Sequence, residues 1–394
     1  MLPQNLTWFF VTFSKAFRQG QRMAFEVVMF VSLAHFFGCY NPNQLAEYLG
    51  IAPQHLYRHL KDWSLYRLKK LLFGFMVRQA AERLKPILGK SDATRSRAGL
   101  SLSVDNSVID RLGRLLRCTW SWYSGRAKRV VNGQDLLGIV LTIGGIALPV
   151  HLLFCSKQGR QHTDKPSLLV AMFQQLIAAF AQEGIDIRRL PITMDSWFAS
   201  QGLREKLLAL GFARVLVAGK SNYSLTIGKQ KHRASTWKKT LTLIQQQWGV
   251  DIPSLRVRAH SPTFGSIAVL FFEKSTTRTY YLMDLSDRPL RAAEIWHVWK
   301  QHVLIEHFWK LLKSTFKIKD MRLQGDGLYA GLVIKILAYL LAIRLKHQRR
   351  FSNSSLTQIL RTIQREHDLI DLIHEHFHLP DSITQAIRIA NANS

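Results

Sequence analysis

Three carboxylates lie where the chain could do chemistry: Asp105 in LSLSVDNS, Asp195 in LPITMDSWFAS and Glu306 in WKQHVLIEHFWKLLK. Asp105 and Asp195 each follow an apolar run and precede a polar stretch. That is the signature of a buried strand ending at its carboxyl edge, where α/β folds place reactive groups. Taken singly, either aspartate reads equally well as a strand-end cap. Glu306 alone reads as a surface charge paired with Lys310 four residues on. Together the three suit a pair of divalent cations, which need hard oxygen ligands and open positions for water and phosphate oxygens. Such a centre activates a water or a 3′-hydroxyl for in-line attack on phosphorus, with surrounding Lys and Arg holding a DNA backbone against it.

The composition agrees with a polyanionic partner. In 394 residues, 54 Lys and Arg face 26 Asp and Glu, a formal charge of +28, and the basic residues run the whole length. Nucleic acid fits this distribution better than an anionic membrane surface, which favours a local polybasic or amphipathic segment. With 47 % hydrophobic and 11 % aromatic residues the chain can bury two or three cores. Cys39, Cys118 and Cys155 are isolated, which suggests neither a disulfide framework nor a zinc site and fits a reducing cytoplasm. The first residues lack the order of a secretory signal.

The elements that must position the carboxylates follow from the patterning. Residues 1–97 are helical in period, and NPNQLAEYLGIAPQHLYRHLKDW reads as a helix-turn-helix with Gly50 at the turn and Pro53 opening the second helix. Leu56, Leu60 and Trp63 face inward, which leaves Gln54, His55, Arg58 and Lys61 to reach bases or phosphates; an ordinary helical hairpin is the competing reading. KSDATRSRAG is a linker candidate. Beyond it the order is strand (ending at Asp105), two strands, helix (166–184), strand (ending at Asp195), helix and strand, an α/β arrangement. Leu136–Cys155 is long and apolar enough for a membrane span. Gly144-Gly145, Pro149 and His151 favour instead a strand hairpin. Residues 221–290 alternate as a β-rich section, and helical periodicity resumes near Ala292; GLVIKILAYLLAIRLK reads as a buried helix with a basic exit.

This order, with aspartates after the first and fourth strands and a glutamate on a late helix, resembles the RNase H-like core of DDE transposases. The insertion-sequence type related to IS-four transposases carries a helix signature, Y-x2-R-x3-E-x6-K, after a β-rich insertion. Glu306 and Lys313 match its last two positions, while Trp299 stands at the tyrosine and His302 at the arginine. LVAGKSNYSL is similar to the stretch leaving the last core strand. The resemblance implies a helical N-terminal DNA-binding domain (1–97), a core in two parts (98–220 and 291–345), an insertion (221–290) and a helical tail (346–394). It implies a cut-and-paste transposase with Asp105, Asp195 and Glu306 as catalytic metal ligands for two Mg2+ ions, Mn2+ being a possible substitute. Its partners would be double-stranded DNA, as terminal inverted repeats and target, and a second copy of the chain, with no membrane involved. The implied setting is the nucleoid in a prokaryotic cytoplasm.

Other residues carry weaker readings. Lys220, Trp299, His302 and Lys313 are candidates for DNA contact, and Trp237 for stacking on an unpaired base, against the plain alternatives of an exposed Lys and core aromatics. HEHFH, 374–378, reads as a solvated helix end more readily than a metal site. The competing functions are a metal-dependent nuclease without strand transfer and a non-catalytic helix-turn-helix regulator.

Overall fold

The computed structural model describes residues 31–48, 50, 52–61, 65–90, 98–110, 118–125, 127–158, 164–237, 239–240, 255–275, 278–287, 290–321, 323, 327–346 and 353–365. HEHFH and Trp63 lie outside the described residues. Two compact units are assembled from separated pieces of chain. One comprises Met1–Met76, Ser107–Leu136 and Phe308–Ser394; the other comprises Val77–Asn106 and Leu137–His307.

The second unit is built on a mixed sheet, of which residues 107–110 and 129–136 count with the first unit. Its strands are β1 (Ser101–Asp110), β3 (Arg129–Ile143), β4 (Ile146–Phe154), β5 (Ile192–Met194), β6 (Val215–Ala218), β7 (Ser224–Ile227), β8 (Gln230–Arg233), β9 (Leu255–Ser261), β10 (Gly265–Ser275) and β11 (Arg278–Asp284). Spatially they run β3-β1-β5-β6-β11-β10-β9-β7-β8, with β4 also paired to β3. β1, β5 and β6 are parallel, and among the described residues the pairings from β6 outward are antiparallel.

The apolar stretch 136–155 is the expected hairpin. Gly144 and Gly145 have φ of +55° and +76°, the left-handed pair that a two-residue turn between twisted strands requires. The β-rich section does not close on itself: β11 adds to β6, so its strands continue the core sheet and cover an edge that would otherwise expose unpaired N–H and C=O groups.

Three helices belong largely to this unit. α4 (Lys165–Gln182) begins with Asp164 accepting from the Ser167 N–H at 3.2 Å and a proline in its first turn, and is tied to β4 by His151 Nε2 and Gln175 Oε1 at 2.9 Å. α5 (Gln201–Ala209) is capped by Ser200, whose hydroxyl accepts from the Leu203 N–H. α6 (Ala292–Ser314) lays Ile295 into an apolar cluster with Leu216 of β6, Leu270 of β10 and Leu282 of β11.

In the first unit, α1 (Pro42–Tyr48) and α2 (Pro53–Lys61) are joined through Gly50 at φ +65°, and α3 (Leu65–Leu88) follows, running on into the other unit. Leu45, Ala46, Leu56 and Leu60 are buried as expected. Strand β2 (Trp120–Ser124) pairs antiparallel with Arg129–Gly133. α7 (Gly327–Lys346) is long and apolar enough to cross a membrane, yet 94 % of its apolar window is buried, as in a core helix. Its Lys335 is buried too, with Nζ donating to the Tyr40 carbonyl at 2.7 Å and to His35 Nε2 at 2.8 Å. α8 (Leu356–Arg365) sends the Gln364 amide to the His35 carbonyl at 3.1 Å.

Candidate active site

The parallel register pairs Leu102, Ser103 and Val104 of β1 with Ile192, Thr193 and Met194 of β5. Asp105 and Asp195 are therefore the next residues on neighbouring strands, with backbones about 5 Å apart if the strand spacing is kept. Because side chains alternate along a strand, Ser103 and Asp105 share a face, as do Thr193 and Asp195. The two faces are the same one, since Ser103 Oγ and Thr193 Oγ1 lie 2.9 Å apart.

On that face Thr193 Oγ1 meets His302 Nδ1 of α6 at 3.0 Å. α6 thus runs from the β10, β11 and β6 cluster, where Ile295 packs, to β5 at His302. Glu306 comes one helical turn later on the same stripe, carried on past β5. It is exposed, and among the described residues no ion pair joins it to Lys310. The two aspartates thus share one face of the sheet, and Glu306 follows His302 on the helix that meets that face. Among the described residues no three His, Cys, Asp or Glu side chains are gathered tightly enough to hold an ion as they stand.

Asp105 differs from expectation in one respect. β1 does not end there but runs to Asp110, because Val108 and Ile109 are buried and Gly133 allows close backbone approach; a Cβ there would meet the Ile109 carbonyl at 2.5 Å. What ends at Val104 is the pairing with β5, so Asp105 still opens the gap between the two strands. Its carboxylate accepts from the Asn106 N–H at 2.8 Å. Asp195 is exposed and accepts from the Ser196 N–H, capping the 3-10 turn Ser196–Phe198.

His302, expected as a cation for DNA phosphates, is 6 % exposed. Burial pushes its pKa down to about 4 against the opposing field of Asp195, so at neutral pH it is an uncharged strut between α6 and β5. Trp299, expected at a DNA contact, stacks on it with ring centroids 4.6 Å apart and 11° between planes, and packs against the Leu216 cluster. Trp237, the base-stacking candidate, is buried and donates its indole N–H to the Leu225 carbonyl at 2.8 Å, which makes it a core residue of the β7–β8 region.

Lys220 stays exposed beyond β6, at the same strand ends as the aspartates. Tyr281 donates its hydroxyl to the Lys220 carbonyl, and Tyr223 donates to the Ala199 carbonyl at 3.3 Å, tying the loop after β6 to the loop after β5. Lys313 is half-buried further along α6, and its segment belongs to the first unit. Gln54 is exposed on α2; the same helix carries His55, Arg58 and Lys61, whose side chains lie outside the description.

Sequence reasoning missed two residues beside the site. Thr193 is the hydroxyl that joins β1, β5 and α6, and inside ITM it gives no outward sign of this. Trp197 is 52 % exposed two residues after Asp195. An aromatic residue within the polar loop DSWFAS was the available signal.

No curated protein matches the chain. Among solved structures, it is similar to the cryo-EM structure of the piggyBac transposase synaptic complex with hairpin DNA, at 12 % identity and a TM-score of 0.40, over 74 % of this chain and 56 % of that one. The chain thus spans little more than half the length of that protein. Residues 170–341 match the family described as the transposase DDE domain, a span that includes Asp195 and Glu306 and begins after Asp105.

Proposed function

We propose that the chain is a cut-and-paste DNA transposase in which Asp105, Asp195 and Glu306 hold two divalent cations, Mg2+ being the expected ion and Mn2+ a substitute. The observation that supports this reading is the register Val104↔Met194, which makes Asp105 and Asp195 neighbours on the face that α6 meets at His302, one helical turn before Glu306. The donors are hard carboxylate oxygens, the chemistry such ions select. When bound, the ions stabilise charge on the phosphoryl oxygens and lower the pKa of the attacking hydroxyl.

The remaining work falls to the chain itself. His302 and Thr193 hold the height of α6 over the strand ends. Lys220 faces the phosphates that approach those ends. The reaction is hydrolysis of the phosphodiester at the end of the element, followed by attack of the freed 3′-hydroxyl on target DNA. The strand order β4-β3-β1-β5-β6 supports an RNase H-like core. The strands β7–β11 between Asp195 and Glu306, with the Glu306-x6-Lys313 spacing, support the type related to IS-four transposases. α1 and α2 would bind transposon ends, two protomers would pair two ends, and the setting would be a prokaryotic nucleoid.

The test is strand cleavage and joining on DNA carrying the terminal repeats of the element, with the full chain and with Asp195→Asn. Metal-dependent joining that disappears in the variant is expected. Joining that survives it overturns the triad. Cleavage without joining selects the nuclease, and binding without cleavage selects the regulator.

A further inference from the structure

Trp197 has no part in the carboxylate chemistry, yet its placement is tightly set. Among the described residues no other tryptophan is as exposed, and it stands on the turn that Asp195 caps. Phe198, buried beneath the turn, meets its ring edge-on at 5.0 Å and 80°. The ammonium of Lys165, at the start of α4, lies 4.7 Å from its ring centroid. An indole 52 % exposed keeps much apolar surface in water, and here its described neighbours are the Phe198 ring and the Lys165 ammonium.

The ligand such a pair suits is flat, apolar on its faces and anionic beside them. A nucleobase with its phosphate has that form, and a base already stacked within a duplex does not offer its face, so the ligand is an unpaired base. We infer that Trp197 and Lys165 form a subsite for an unpaired DNA base and its phosphate, next to the phosphodiester held at the carboxylates; the inference rests on the functional reading above. Trp197 stacks on the base and Lys165 meets the phosphate. Trp237, which the sequence offered for this role, is closed off by burial.

The experiment measures affinity, without divalent cation, for a blunt duplex and for the same duplex with a single-stranded thymidine tail, using the full chain. The wild type is expected to prefer the tailed duplex. Trp197→Ala is expected to lower that preference by about fivefold to about a hundredfold, the range for one base–aromatic stack, and Trp197→Phe to keep part of it. A tail carrying 5-iododeoxyuridine is expected to photo-crosslink to the peptide containing Trp197. Equal affinity of the wild type for both duplexes, or a preference unchanged in Trp197→Ala, overturns the subsite. Asp195→Asn keeps a capping oxygen for the turn, so it is expected to retain the preference while losing cleavage. Loss of cleavage therefore reports on the triad, and loss of preference reports on the stack.

Discussion

Two tryptophans show how the same residue type divides between core and surface. Trp237 is buried, sits beside His232 at 5.2 Å and spends its one donor on the Leu225 carbonyl. Trp237→Ala is therefore expected to cost about 3 to 5 kcal/mol of stability through cavity formation, read by denaturant unfolding. Its DNA affinity, measured where the variant is still folded, is expected to match wild type; a selective loss of DNA binding in a stably folded variant would restore the stacking role. The two tryptophans were indistinguishable from type and spacing, because nothing local in TWKK or DSWF states which ring a neighbouring strand will cover. Asp195 and Glu306 stand out in the sequence for the opposite reason. A carboxylate just after an apolar strand, or alone in an aromatic and basic helix, is out of keeping with its surroundings, and that contrast is visible in one dimension.

At the scale of elements, α6 is held to the sheet by a polar ladder within an apolar interface. Thr142 and Ser101 hydroxyls lie 2.7 Å apart, Ser103 and Thr193 2.9 Å, and Thr193 and His302 3.0 Å. A buried ladder of this kind is strong when complete and costly when broken, since each orphaned group keeps its desolvation penalty. Thr193→Val, nearly equal in shape, leaves both Ser103 and His302 short of a partner. It is expected to lower stability by about 1 to 3 kcal/mol and to slow DNA cleavage, with DNA affinity held at the wild-type value. His302→Asn, which can still bond to Thr193, is expected to cleave faster than His302→Leu. Equal cleavage by the two would show that the bond does not set the position of Glu306. The elements themselves were largely readable. The 166–184 helix, the Gly144-Gly145 hairpin and the helix starting at Ala292 follow from period, turn chemistry and caps. The true end of β1 was not, because it depends on a partner strand whose Gly133 lies 24 residues beyond Ile109 and lets the backbones close. Nor was the continuation of the sheet from β6 into β11, a pairing between Val217 and Met283 that no local pattern encodes.

At the scale of the whole molecule, three histidines among the described residues are buried uncharged, and their shared direction has a measurable consequence. Burial takes His151 and His302 down to about 4, and His35 is lowered by burial and by the adjacent Lys335 ammonium. The geometry at His35 agrees: Nδ1 donates to the Val31 carbonyl at 3.0 Å and Nε2 accepts from Lys335, which leaves no place for a second proton. In the unfolded chain these rings titrate near 6.5, so between about pH 6.5 and pH 4 the unfolded state binds more protons than the folded one. Stability is then fully present above about pH 6.5 and falls as pH drops through that window, by up to about 3 kcal/mol each for His151 and His302. Asp284 works in the opposite sense, since burial raises its pKa, but it is one group against three. The thermal midpoint is therefore expected to fall steadily from pH 7 to pH 5. A chain of net charge +28 also loses stability on acidification through self-repulsion, and salt separates the two causes. Repulsion between exposed charges fades within a screening length of about 4 Å at half-molar salt, whereas the cost of charging a buried ring does not. A midpoint that still falls between pH 7 and pH 5 in half-molar salt, and falls less in a variant carrying both His151→Gln and His302→Asn, assigns the loss to the buried rings. A midpoint that salt renders flat assigns it to the surface.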